Sequence, residues 1–120
     1  MKKFLILIAL LAISTNAYCL SGSGRKTVAV SGTAEAISAS SQKFNLLSIC
    51  AETDNTGTIA VGGSTAIAAL ATRVGIPLTA GLCYKIDFAL RNAGSGNLTE
   101  VFIDATTSGD GVTYHWFYVV

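Results

Sequence analysis

The stretch that most limits the fold is residues 46–63, LLSICAETDNTGTIAVGG. Two short apolar runs, 46–51 and 58–61, flank the polar cluster Glu52-Thr53-Asp54-Asn55-Thr56-Gly57, and Gly62-Gly63 closes the second run. Such runs joined by a turn-rich segment read as two neighbouring strands of an antiparallel sheet. Asn55 and Gly57 suit the positive φ of a tight return. The period of two puts Leu47, Ile49 and Ala51 on one face, taken as the core, and Leu46, Ser48 and Cys50 on the other. Ile59 and Val61 share a face in the second run.

The same punctuation continues along the chain. Residues 27–30 (TVAV) are β-rich and are expected to open the domain, with 34–37 as another short strand. Residues 64–71 (STAIAALA) favour helix by propensity, but lie between glycines and read as an extended loop with a short helical turn. Pro77, the one proline, cannot donate to a ladder, so 72–81 is an edge strand or strand-like loop. Residues 83–90 alternate, with Tyr84, Ile86, Phe88 and Leu90 on one face and Lys85, Asp87 and Ala89 on the other. Residues 98–105 form the next strand, 107–111 (TSGDG) a hairpin turn, and 112–120 (VTYHWFYVV) the last strand. The expected architecture is all-β: an antiparallel β-sandwich or jelly roll of seven or eight short strands, spanning 27–120.

Composition matters at the N-terminus. Hydrophobic residues make up 51% of the 120-residue chain and charged residues 12%. The excess lies in 1–19, where Met1-Lys2-Lys3 precedes ten apolar residues (FLILIALLAI, 4–13) and then Ser14-Thr15-Asn16-Ala17. That order is a secretory signal peptide, cut after Ala17 or Cys19. A retained anchor is the other reading, although about 20 apolar residues are needed to span a bilayer. Residues 20–26 (LSGSGRK) read as a flexible lead. Without Lys2 and Lys3 the eight basic residues fall to six against seven acidic ones, a net charge of −1. A nearly neutral domain has no electrostatic reason to bind nucleic acid.

Export would oxidise thiols, and Cys50 and Cys83 are the candidate disulfide; two separate buried thiols are the alternative. The last strand is apolar on both faces. Tyr114, Trp116 and Tyr118 form a candidate subunit interface, or else the strand is central in a tight core. His115, the single histidine, has no partner at catalytic spacing, so no catalytic residue is assigned. No cofactor or metal site is expected. Asp104, Ser108 and Asp110 could place oxygens near one turn, but an Asp-Gly turn needs no ion and the calcium-loop pattern is absent. Glu52, Asp54, Asp87, Glu100 and Asp104 read as solvent-face acids. Asn97-Leu98-Thr99 is a glycosylation sequon, meaningful only in a eukaryotic secretory route.

Four phrases in order carry a resemblance: SGTAEAIS at 31–38, LLSICAETDNTGTIAVGG at 46–63, GIPLTAGLCYKIDF at 75–88 and LTEVFIDATTSGDGVTYHWFY at 98–118. Together they resemble small virion structural proteins of tailed phages, the head-decoration, fibre-base and related β-sandwich proteins. The resemblance implies a non-enzymatic protein on a virion surface that works by assembly with itself, most often as a trimer, and with capsid or fibre proteins. The apolar leader departs from that pattern, because such proteins assemble in the cytoplasm. Either the phage matures at a membrane, or the segment is a retained anchor, or a host has reused the fold as a secreted protein; the alternative reading is a secreted bacterial β-sandwich binding module that contacts a cell-surface glycan as an adhesin or glycan-binding domain.

Overall fold

The computed structural model describes residues 19–88 and 94–119. The leader read from 1–19 lies outside the described residues apart from Cys19, as does Leu90. The described chain is all-β, with antiparallel pairing in every ladder. Its strands are β1 (Cys19–Thr27), β2 (Glu35–Ala36), β3 (Lys43–Phe44), β4 (Leu46–Ala51), β5 (Ile59–Gly62), β6 (Ile76–Leu78), β7 (Cys83–Asp87), β8 (Gly96–Asn97), β9 (Phe102–Ala105) and β10 (Gly111–Val119).

Two four-stranded sheets run in the orders β1-β10-β4-β7 and β2-β9-β5-β6, and β3 pairs with β8. The pairing is nested: β1 meets β10, β2 meets β9, β4 meets β7 and β5 meets β6. The chain doubles back on itself around the β5–β6 connection, and successive pairs go to alternate sheets.

The alternation expected for β4 is observed, with Leu47, Ile49 and Ala51 buried. They join Val112 of β10, Ile59 and Val61 of β5, and Ile103 and Ala105 of β9 in one buried cluster. Each fully buried aliphatic side chain contributes about 1.5–3 kcal/mol. Phe44, Leu98 and Val101 extend this cluster, and the Phe44 ring lies 5.8 Å from that of Phe88. Pro77 sits in β6 at the edge of its sheet, where a missing N–H is tolerated. Residues 64–71, expected as an extended loop with a short helical turn, open with a turn closed by Ala66 N–H donating to Gly63 C=O, bridge Ile67 to Val74 and run into a 3-10 turn, Leu70–Thr72.

Several expectations are corrected. Residues 20–26 are no flexible lead: they belong to β1, which pairs residue for residue with β10 from Cys19↔Val119 to Thr27↔Gly111. The strand ends where 27–30 was expected to begin one, because Val28 turns into the core at 0% exposure and Ala29 N–H donates to the Glu35 carboxylate. β4 and β5 are not neighbours but lie in different sheets, so 52–57 is a crossing between layers. For the same reason 107–111 is no hairpin turn, since β9 and β10 also lie in different sheets. The strand expected at 98–105 is shorter: Leu98–Glu100 is a 3-10 turn capped by the Asn97 side chain, which accepts from Thr99 N–H. Counting β1 and the short β3 and β8, the described residues hold ten strands rather than seven or eight.

Candidate functional site

The acids come first, because they would carry any chemistry. Asp104 lies on β9 opposite Ala60, on the side of its sheet away from the core cluster, yet it is wholly buried. Its Oδ1 accepts from Gly32 N–H at 2.8 Å and its Oδ2 from Ala68 N–H at 2.7 Å. One carboxylate thus fastens two loops over the sheet. A buried charge is tolerable only with such partners. Asp110 does the same between the layers, accepting from Thr56 N–H at 3.1 Å and Gly57 N–H at 2.6 Å. Beside it the Asn55 amide imitates a strand: Nδ2 donates to Gly111 C=O and Oδ1 accepts from Gly111 N–H, both at 2.8 Å. The two segments read as separate tight turns, 52–57 and 107–111, therefore grip each other.

Further polar side chains are engaged as well. Glu52 takes a two-toothed contact from Arg25, at 2.5 and 2.6 Å, and that hydrogen bond and charge raise the guanidinium pKa. Glu35 binds Lys26 Nζ at 2.6 Å. Ser108 Oγ accepts from Ser31 N–H, so the oxygens of Asp104, Ser108 and Asp110 serve five separate backbone N–H groups. Among the described residues no group of three or more His, Cys, Asp or Glu side chains could hold a metal ion. In the sequon, Asn97 Nδ2, the atom a glycan would occupy, donates to Ser41 Oγ at 2.7 Å, while Oδ1 accepts from Gln42 N–H and Thr99.

Cys50 and Cys83 are bridged, directly opposite each other on β4 and β7. The proposed interface trio divides. Tyr114 and Trp116 pack against the core, Trp116 lying over Gly22 and Tyr114 over Gly24 on β1. A Cβ at Gly22 would stand 2.7 Å from Trp116 Cζ2. Tyr118 is half-buried opposite Leu20. The outward face of β10 instead carries Thr113, His115, Phe117 and Val119.

That outward face carries a ring stack. His115 stacks on Phe117, ring centroids 4.5 Å apart and planes at 24°. His115 stands between Ser23 of β1 and Ser48 of β4, and Phe117 between Ser21 and Leu46. A shallow hollow of about 240 Å³ beside them is lined by Ser23, Ser48, Cys50, Thr113, Tyr114 and His115. A second surface is apolar. Ile76 (42% exposed) lies on β6 at the open edge of the other sheet, and Leu70 (80%) and Val74 (46%) lie in the segment that leads into it. Sequence reasoning missed the loop fastening by Asp104, Asp110 and Asn55. An acid within an apolar run (Phe102-Ile103-Asp104-Ala105) was the available signal. No family model, no curated protein and no solved structure matches the chain.

Proposed function

We propose that the chain is a non-enzymatic structural protein, exported or carried on a virion surface, which acts through self-assembly and surface contact, and that its two sheets form a jelly-roll β-sandwich. The nested strand order carries the reading. Two sheets ordered β1-β10-β4-β7 and β2-β9-β5-β6 are what a doubled-back chain gives when rolled into two Greek keys, an architecture shared by viral capsid and lectin domains. The phrase-by-phrase resemblance to phage virion proteins points the same way. So does the engagement of Asp104, Asp110, Glu35 and Glu52 in holding loops and strands. The exposed Leu70, Val74 and Ile76 offer an apolar contact of the kind that subunits cover.

Light scattering of the full chain tests the proposal. A mass of several protomers, three by the resemblance, is expected, with a lower mass for Leu70→Asp; a single-protomer mass at every concentration contradicts it. A glycan-binding role is favoured by one observation, the outward His115–Phe117 stack flanked by serine hydroxyls. Sugar rings stack on aromatic faces while hydroxyls exchange hydrogen bonds. Glycan binding that Phe117→Ala abolishes without changing the fold would support it; equal binding by that variant would remove it.

A further inference from the structure

Four strands end the two large sheets: β1 and β7 in one, β2 and β6 in the other. Strand edges recruit other strands unless they are short, charged or broken by proline. β2 is two residues long. β6 is three and carries Pro77. β7 is five and carries Lys85 and Asp87. β1 is nine residues long, holds no proline, and has Ser21-Gly22-Ser23-Gly24 at its centre. Its two charges, Arg25 and Lys26, are already matched within the chain by Glu52 and Glu35. Among the described residues, β1 is therefore the long edge that none of these devices blunts.

The ladder shows which groups that edge presents. Along a strand of an antiparallel sheet, successive residues bond alternately to one side and to the other. At the start of β10, Gly111 C=O accepts from Glu52 N–H on the β4 side, and Asp110 C=O accepts from Val28 N–H on the β1 side. Further along, Phe117 C=O again accepts on the β4 side, from Asn45 N–H. The even-numbered residues Val112, Tyr114 and Trp116 thus bond towards β1, where they stand opposite Lys26, Gly24 and Gly22. Ser21, Ser23 and Arg25 turn their N–H and C=O groups the other way, to the open side. Among the described residues no backbone group bonds to them there.

That edge matches a second copy of itself. Two antiparallel β1 strands overlap over all nine residues only when Ser23 faces Ser23. This sets Ser21 against Arg25, Leu20 against Lys26 and Cys19 against Thr27. No like charges then oppose each other, the open groups of Ser21, Ser23 and Arg25 find partners, and the exposed Leu20 meets the aliphatic stem of Lys26. We infer that β1, while staying on its own β10, pairs edge to edge with β1 of a second copy about a two-fold axis at Ser23. The two four-stranded sheets become one continuous sheet. The inference rests on the self-assembly proposed above and adds a contact to it. The pair doubles whatever number of copies the Leu70 surface builds, the trimer of the resemblance included.

Cysteine linkage in the full chain carrying Cys19→Ser tests the contact. Residues facing each other across such a pair stand about 5.5 Å apart at Cα, within disulfide reach. Oxidised Ser23→Cys is expected to run as a linked dimer on a non-reducing gel. Thr113→Cys, also exposed but one strand further in, should link about tenfold less, since its two copies stand beyond the ~7 Å Cα limit for a bridge. Ser23→Lys sets like charges face to face and should halve the mass in light scattering while leaving the circular dichroism unchanged. Equal, low linkage from both cysteine variants, with an unchanged mass for Ser23→Lys, overturns the edge pairing. The proposed self-assembly survives that outcome if the parent mass is several protomers, and falls with it if the mass is that of one.

Discussion

Replacing Asp104 by alanine strands the Ala68 N–H in a buried site and the Gly32 N–H in a partly buried one. Each buried donor left without a partner costs about 1–3 kcal/mol. Asp104→Ala should therefore lower stability by about 2–4 kcal/mol, and Asp110→Ala by less, because Asp110 keeps 7% exposure and water can reach its partners. Guanidinium unfolding followed by the single tryptophan checks both; midpoints within error of the parent would contradict the assignment. Glu35 gives a pH signature. The Lys26 hydrogen bond holds its carboxyl below the ordinary 4.5 against the upward push of burial, helped by the Ala29 and Val30 N–H groups and the Lys26 charge. Because the folded value is the lower one, the stabilisation is complete above about 4.5 and is lost as pH falls through the folded value. Glu35→Gln should lower the unfolding midpoint at neutral pH and flatten its decline below pH 4.5; a parallel decline in both proteins would contradict this.

At the scale of elements, β1 carries the sharpest prediction. Gly22→Ala puts a methyl 2.7 Å from Trp116 Cζ2, closer than real contacts allow. The ring must move, at about 1–3 kcal/mol, and the emission of the one tryptophan should shift with it. Unchanged emission and stability would mean that the ring does not lie on the glycine. The same contact explains why β1 was hidden in the sequence. Ser-Gly-Ser-Gly is linker chemistry by composition, and its cover comes from residues 114 and 116, far along the chain. Strands whose own side chains alternate were legible: β4 through Leu47, Ile49 and Ala51, and β7 through Tyr84 and Ile86. Their neighbours were not, since local pattern fixes a face and not a partner. Thus Asn55-Thr56-Gly57 and Gly109-Asp110-Gly111, each a good turn signal alone, were assigned to two hairpins and instead fasten to each other. The candidate surface was half legible: the aromatic last strand stood out, but its outward face is His115 and Phe117 rather than Tyr114 and Trp116.

At the scale of the whole molecule, two sheets share one core, and the crossings between and over them are held by carboxylates and amides rather than by helices. Asp104, Asp110 and Asn55 do this fastening. Native-state amide hydrogen exchange tests that claim most directly. Gly32, Thr56, Gly57, Ala68 and Gly111 all donate to Asp104, Asp110 or Asn55, and all but Gly111 lie outside the strands. Their protection should match that of the buried β4 and β10 amides, to within roughly tenfold. Exchange of these amides at the rate of an open loop, while β4 and β10 stay protected, would contradict the account.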